Sequence, residues 1–136
     1  DVKADIVRKR VILNFNQDTF SASHVIKTLK ALAEGGIKTD ALIIDGLDSN
    51  KLTETAAAEF KAYAKGAGAV IWFSANTEGS TLANVLPESL VKAVDAIVHL
   101  AQKPDTIQMD VLKFRNEKIS DSNLRLDSKT LLIAEK

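Results

Sequence analysis

Carboxylates follow a short apolar run near the middle of the sequence. Ala41–Ile44 is followed directly by Asp45 and Gly46, with Asp48 two residues later. A continuous apolar run too short for a helix is typical of a strand covered on both faces, as parallel strands are. In open parallel sheets the carboxyl ends of the strands border the ligand-binding crevice. An aspartate there can hold Mg²⁺, directly or through water, or position an attacking water. The alternative is a loop aspartate that caps the next turn, and the pattern alone does not choose between the two.

Small polar residues follow the next apolar run, residues 69–73. Ser74, Asn76 and Thr77 stand where they can hydrogen-bond a phosphate or a nucleophilic water beside Asp45. They are equally ordinary turn-forming residues. Their coincidence with Asp45 at the same predicted edge of a sheet favours a shared site.

The elements that must position these residues alternate between strands and helices. The sequence predicts strands at residues 11–15, 41–44, 69–73 and 96–100. It predicts one helix from Ser21 or Ser23 to Gly35, a second from about Thr53 to Lys65, and a third that begins at Pro87. Such alternation indicates a mainly parallel sheet with helices on both faces, a three-layer α/β sandwich.

After Pro104 the pattern changes to extended segments without helices between them. Residues 106–115 mix polar and apolar side chains, residues 116–123 are loop-like, and Leu124–Asp127 is predicted to pair with residues 130–134. These segments predict C-terminal antiparallel hairpins. Residues 1–136 are therefore expected to form a single α/β domain.

Composition excludes several kinds of site. The chain has no cysteine, which excludes disulfides, thiolate nucleophiles and cysteine-ligated metals, and His24 and His99 are too few for a multi-histidine metal site. Eighteen basic residues balance eighteen acidic ones, so nucleic acid and anionic membrane are not indicated as partners. No apolar run approaches the roughly 20 residues of a membrane helix. The N-terminus has no apolar signal-peptide region, and we expect a cytoplasmic setting.

Two consecutive strands with polar ends resemble part of the RecA/KaiC-like P-loop ATPases. Residues 41–46 (Ala-Leu-Ile-Ile-Asp-Gly) are similar to the Walker B strand of that family. Residues 69–77 are similar to the following strand, whose terminal polar residue senses the γ-phosphate.

The C-terminal part resembles the ending of the same family. Residues 95–100, a short turn and residues 108–115 are similar to a strand that leads into a hairpin with a Lys-x-Arg pair, here Lys113 and Arg115. The resemblance thus covers the chain from about Val11 to its end.

The resemblance assigns roles to five residues. It implies that Asp45 supports Mg²⁺, and that Ser74 or Asn76 senses the γ-phosphate. It implies that Lys113 and Arg115 reach nucleotide held by a neighbouring subunit of a homo-oligomer, with ATP and Mg²⁺ as cofactors of the complete protein. The simpler interpretation of Lys113 and Arg115 is two solvated charges on an edge strand, which discourage edge-to-edge pairing.

The sequence also departs from the family pattern. It contains no Gly-x-x-x-x-Gly-Lys-Ser/Thr loop to cradle phosphates. Asn16, Gln17 and Asp18 stand where the catalytic glutamate is expected. We therefore expect either the C-terminal portion of a larger P-loop ATPase domain, to which the non-methionine start also points, or a degenerate relative that binds no nucleotide. These residues alone are not expected to bind ATP or Mg²⁺, or to hydrolyse ATP.

A phospho-receiver domain is an alternative from a different class. Asp45 as acceptor, Ser74 after the next strand and Lys103-Pro104 after a third imitate the receiver order. Against it, the interval from Asn14 to Asp45 has room for only one helix, and no acidic pair follows the first strand.

A non-catalytic protein-interaction module is the third possibility. It would bind through Phe15, Phe20 and the basic residues 8–10. The simpler interpretation places the phenylalanines in the core and the basic residues in solvent.

Overall fold

The computed structural model describes residues 9–48, 50–77, 86–115 and 124–133, together with residues 4 and 117. In chain order the elements are the 3₁₀ turn Gln17–Thr19, helix α1 (Ala22–Glu34), strand β1 (Ala41–Ile44), helix α2 (Glu54–Ala67), strand β2 (Val70–Phe73), the short helix α3 (Glu88–Ala93), and strands β3 (Ala96–Gln102), β4 (Thr106–Phe114) and β5 (Leu124–Asp127). The described chain is therefore a mixed α/β structure.

Helices α1 and α2 begin and end where their capping residues predict. The Ser21 hydroxyl accepts a 3.2 Å hydrogen bond from the amide of His24, and Thr53 accepts one of the same length from Ala56. Gly68 ends α2 in the left-handed conformation (φ 68°), which glycine reaches without steric cost. The predicted bounds of both helices are confirmed to within two residues. None of the described helices has the length and apolarity needed to cross a membrane.

Strands β1 and β2 form a two-stranded parallel sheet, in register from Ala41 opposite Val70 to Ile44 opposite Phe73. One face packs on the helices. Its four side chains are partly buried against a core formed mainly by α1 and α2: Leu42, Ile44, Ile71 and Phe73. At the centre of that core, Phe60 of α2 is only 1% exposed. The core therefore lies between two helices and one face of a parallel strand pair.

The opposite face of this parallel sheet is largely exposed. Ile43 is 73% exposed, and Val70 and Trp72 are each 57% exposed. Because directly paired residues share a face, Ile43 and Trp72 lie side by side there. Within the described residues, the helical layer covers one side of β1 and β2, and the second helical layer of a three-layer sandwich stays a prediction.

Strands β3, β4 and β5 form a separate antiparallel sheet in that order. The predicted extended segment at residues 106–115 and the predicted strand Leu124–Asp127 are confirmed. The prediction of a mainly parallel sheet is confirmed only for β1 and β2, because β3 pairs with β4 and not with β2. The sequence of an apolar strand such as Ala96–Gln102 does not indicate whether the strand pairs with a parallel or an antiparallel neighbour.

The turn after β5 is closed by a side chain. The Asp127 carboxylate accepts hydrogen bonds from the amides of Thr130 (2.7 Å) and Lys129 (3.0 Å), and these bonds, with one from the Thr130 hydroxyl, lower the pKa of Asp127. Leu126 then forms an isolated bridge with Ile133. The predicted return segment is confirmed to that extent, and residue 134 lies outside the described residues.

Residues 11–15, predicted as a strand, form no strand. Val11 is 47% exposed and Ile12 66% exposed, whereas Leu13 packs partly against the core. An apolar run becomes a strand only when a neighbouring strand supplies hydrogen bonds. In the part of the chain that the structure describes, β1 has one strand partner, β2.

Candidate functional site

The carboxyl ends of β1 and β2 bring the two main candidate residues together. Ile44 lies opposite Phe73 in the parallel register, so Asp45 and Ser74 are the first residues beyond each strand. The amide of Ser74 donates to the carbonyl of Ile44, and the amide of Leu47 donates to the carbonyl of Ser74, both at 2.9 Å. These backbone hydrogen bonds carry the strand pairing past both strand ends and fix the two side chains at one edge of the sheet.

Asp45 and Ser74 are joined by their side chains. The Ser74 hydroxyl donates to Asp45 Oδ1 and accepts a 2.9 Å hydrogen bond from the amide of Gly46. Gly46 has φ 67°, a conformation that an L-side chain rarely adopts. Asp45 and Ser74 are both exposed. The result is a carboxylate held in one orientation and accessible to a ligand.

Gln17 and Lys51 border this pair and were not identified from the sequence as ligand groups. Gln17 Nε2 donates to the carbonyl of Gly46 at 3.3 Å. Lys51 Nζ donates to the carbonyl of Gln17 and lies 4.0 Å from the Asp18 carboxylate. Gln17 was noted only as standing in the place of a glutamate, and no pattern indicated Lys51. Gln17 and Lys51 therefore hold the loop that follows Asp45 against the 3₁₀ turn.

Asp48 serves the turn that follows. Its carboxylate accepts a 2.9 Å hydrogen bond from the amide of Asn50, and its carbonyl accepts one from the amide of Lys51. This is the ordinary turn-capping role of an aspartate. Of the two carboxylates that follow β1, Asp48 thus has the local role of a turn cap, whereas Asp45 is joined to the end of the neighbouring strand.

Asn76, the alternative sensor residue, is exposed two residues beyond Ser74. Of the two candidates only Ser74 contacts Asp45. Among the described residues, no group of three or more His, Cys, Asp or Glu side chains is placed to hold a metal ion. A cation at Asp45 would therefore have a single carboxylate from this part of the chain.

Lys113 and Arg115 lie at the end of β4, away from the Asp45–Ser74 pair. Lys113 Nζ donates to the carbonyls of Val91 (2.5 Å) and Val94 (2.6 Å), at the end of α3. Within the described residues, no hydrogen bond or ion pair joins either cation to Asp45 or Ser74. The structure thus brings together two of the predicted site residues and leaves the two cations elsewhere.

Arg115 is exposed and has an unusual backbone. Its guanidinium lies 5.4 Å from the ring centroid of Phe114, and its φ is 56°, in the left-handed region. Its amide donates to the carbonyl of Asp95. The side chain therefore projects from a fixed backbone position and is free to meet another molecule.

The residues of the two alternative functions are placed as follows. Lys103 and Pro104 lie in the turn between β3 and β4, where the Lys103 amide donates to the Thr106 carbonyl at 2.8 Å. Phe20 stacks on Phe60 with ring centroids 6.4 Å apart, whereas Phe15 is 38% exposed. Arg8 lies outside the described residues.

No known family matches the chain. Neither the family models, nor the curated proteins, nor the solved structures contain a match. Its function must therefore be argued from its own residues.

A groove of about 960 Å³ lies elsewhere, between α1 and α2. Residues 38–40 line it, and these precede β1, so the groove lies near the end of β1 opposite to Asp45. Lys27, Lys30 and Lys38 border it, together with Asp40 and Glu59. Charges of both signs surround this open groove, and Asp45, Ser74 and Asn76 do not line it. We therefore assign the candidate site to the Asp45–Ser74 pair.

Proposed function

We propose that this chain is the C-terminal part of a RecA/KaiC-like P-loop ATPase, in which Mg²⁺-dependent hydrolysis of ATP requires the complete protein. The observation that carries the proposal is the contact between Asp45 and Ser74 at the ends of adjacent parallel strands. A carboxylate followed along the chain by a hydroxyl, at this edge of a sheet, corresponds in type and order to the Walker B aspartate and the sensor residue.

The chemistry of the donors fits part of a magnesium–nucleotide site. In such sites Mg²⁺ takes one or two carboxylates, and its other ligands are waters and substrate phosphates. Asp45 supplies one exposed carboxylate, which the Ser74 hydroxyl orients. When bound, the cation neutralises charge on the phosphates. The groups that cradle the phosphates are absent from these 136 residues and must come from another part of the complete protein.

The exposed face of the parallel sheet supports the same proposal. Parallel sheets occur almost only with both faces covered, yet Ile43, Val70 and Trp72 are more than half exposed. A strand and helix that carry a phosphate-binding loop, supplied by a longer parent protein, would pair with this sheet and cover that face.

Arg115 is the better candidate for a cation that acts on a neighbouring subunit of the proposed homo-oligomer. Its side chain is exposed, whereas the Lys113 ammonium is engaged by two carbonyls at the end of α3. Reaching nucleotide with Lys113 would require breaking both of those hydrogen bonds.

A phospho-receiver role for Asp45 has weaker support. In a receiver, the lysine follows a strand that belongs to the same parallel sheet as the acceptor strand. Here Lys103 follows β3, which pairs with β4 in the described structure.

The test is ATP hydrolysis by the natural gene product that contains these residues. We expect Asp45→Asn to lower kcat by about 100-fold, Ser74→Ala to lower it less, and the control Asp48→Asn, at a turn cap, to leave it unchanged. The 136-residue chain alone should neither bind ATP tightly nor hydrolyse it. A gene product that begins within a few residues of Asp1, or that lacks ATPase activity, would refute the proposal.

Acetyl phosphate separates the receiver alternative. Phosphorylation of the chain that is lost in Asp45→Asn would replace the ATPase proposal with a receiver function. Tight ATP binding by the 136 residues alone would show that the phosphate-binding groups are present after all.

A further inference from the structure

We propose that β3 is the surface through which two copies of this chain associate. The two β3 strands pair antiparallel across a two-fold axis, so that two three-stranded sheets join edge to edge. The inference concerns the 136-residue chain and does not rest on the proposed ATPase function.

The outer edge of β3 has no charged side chain and no proline, two features that keep edge strands from pairing, although its pairing with β4 has a register irregularity between Ile97 and Val98. β3 is a terminal strand of its sheet, and among the described residues its only strand partner is β4. Its sequence, Ala-Ile-Val-His-Leu-Ala-Gln, contains no Lys, Arg, Asp, Glu or Pro. Long, apolar, uncharged edge strands are the ones that pair with other chains.

The opposite edge of the same sheet is protected and serves as an internal comparison. β5 has four residues, of which Arg125 and Asp127 are charged. Its outer side is already engaged, since Leu126 bridges to Ile133 and the amide of Asp127 donates to the carbonyl of Leu132 at 2.8 Å. Association through this sheet is therefore expected at β3.

The side chains beside the open edge are apolar and accessible. Val98 is 40% exposed and Leu100 is 58% exposed. In the register, Val98 lies opposite Val111 and Leu100 opposite Met109, so apolar rows run across the sheet up to the free edge. A strand added at that edge extends these rows and covers part of the exposed surface of Val98 and Leu100.

A second copy of the chain fits this edge because β3 can pair antiparallel with the same strand of another copy. His99 is the middle residue of Ala96–Gln102, and a two-fold axis beside it places Val98 opposite the partner's Leu100 and Ile97 opposite the partner's Ala101. The chain has no net charge, so long-range repulsion between copies is absent. In the described residues the three-stranded sheet offers one such edge, so association through this sheet closes at a dimer.

The extent of the contact predicts a weak dimer. A seven-residue strand is about 23 Å long, and one strand pair buries less than the roughly 800 Å² per partner of a standard interface. We expect a dissociation constant in the micromolar range or above, so that dimerisation depends on protein concentration.

Disulfide trapping tests the pairing directly, because the chain has no cysteine and an introduced thiol is the only one present. A mixture of Val98→Cys and Leu100→Cys chains should form mixed disulfide dimers faster than either variant alone, since the proposed register brings these two positions together. The control is Leu132→Cys, 68% exposed and outside β3. Equal or faster cross-linking of Leu132→Cys, or no excess of the mixed dimer, overturns the proposal.

Sedimentation equilibrium over a range of concentrations supplies the second measurement. Leu100→Lys places on the edge a charge of the kind that protects natural edge strands, and we expect it to weaken dimerisation at least about ten-fold. Leu132→Lys should leave dimerisation unchanged. An unmodified chain that stays monomeric at millimolar concentration, or a dimer that Leu100→Lys does not weaken, contradicts the inference.

Discussion

Phe60 packs directly against the end of β2, where the candidate site lies. It is 1% exposed, and its ring centroid lies 5.4 Å from that of Phe73 and 6.4 Å from that of Phe20. Phe73 directly precedes Ser74, so the edge-to-face contact between Phe60 and Phe73 ties α2 to the end of β2. Removing the ring should therefore loosen the strand end that orients Asp45.

The expected cost of Phe60→Ala follows from this burial. Truncating a buried phenylalanine to alanine costs about 3–5 kcal/mol of unfolding free energy, because apolar burial is lost and a cavity remains. We expect about 4 kcal/mol, given two aromatic neighbours. With a urea m-value of about 2 kcal/mol/M, the unfolding midpoint should fall by about 2 M.

Urea denaturation, followed by circular dichroism and by the fluorescence of Trp72 on β2, measures this effect. Phe15→Ala is the matched control, since Phe15 is 38% exposed and does not belong to the core cluster. It should lower the free energy of unfolding by less than about 1 kcal/mol. Similar midpoints for the two variants would refute the placement of Phe60 at the centre of the core.

Further predictions concern two glycines, one turn and two cations. In urea denaturation, Gly68→Ala should lower the free energy of unfolding by about 1 kcal/mol, because φ is 68° there. Gly66→Ala lies in the last turn of α2 with open space at the added Cβ, and it should raise the free energy of unfolding by up to about 1 kcal/mol. The pKa of Asp127 is lowered in the folded chain, so its turn contributes stability at pH values above the pKa that Asp127 has when unfolded, and this stability is lost as the pH falls through the lower folded pKa. An NMR titration of Asp127 should give a midpoint below the ordinary aspartate value of about 3.9. Lys113→Ala should lower the free energy of unfolding by about 1.5–3 kcal/mol in urea denaturation, because hydrogen bonds from a charged group to the end of α3 are lost. Arg115→Gly should raise the free energy of unfolding by less than about 1 kcal/mol, because glycine adopts the left-handed backbone without strain.

Specific results would contradict these expectations. Effects of the same sign at Gly66 and Gly68 would show that α2 ends elsewhere. A titration midpoint of Asp127 at or above that of an ordinary aspartate would contradict the hydrogen-bonded turn. An unchanged stability of Lys113→Ala would leave its ammonium available for the nucleotide role that the family resemblance implies.

Local signals in the sequence identified the helices and most strands because their causes are local. Ser21 and Thr53 cap the helices that follow them. Ala41–Ile44 was predicted with its observed bounds, since a four-residue apolar run before Asp45 and Gly46 leaves little choice. Residues 11–15 have the same apolar character and form no strand, because strand formation depends on a partner whose position is not local information.

Roles that depend on packing between distant segments could not be predicted. The sequence places Lys113 on an extended segment, where its ammonium could equally meet solvent or nucleotide. Its ammonium donates to the carbonyls of Val91 and Val94, which precede it by 22 and 19 positions in the sequence. The contacts of Gln17 with Gly46 and with Lys51, in the loop after Asp45, are non-local in the same way.

The surroundings of Asp45 separate it from two other aspartates, Asp48 and Asp127. Asp48 and Asp127 each accept hydrogen bonds from amides two or three residues ahead, as turn-capping aspartates do. In the described structure the Asp45 carboxylate accepts instead from the hydroxyl of Ser74, just beyond the neighbouring strand, and the amide of Gly46 donates to that hydroxyl. An exposed pair of this kind adds only about 1 kcal/mol to folding. A turn cap accounts for the hydrogen bonds of Asp48 and Asp127, whereas the hydrogen bond of Asp45 joins the ends of two parallel strands. That difference is the reason to look for the ligand of this chain at Asp45.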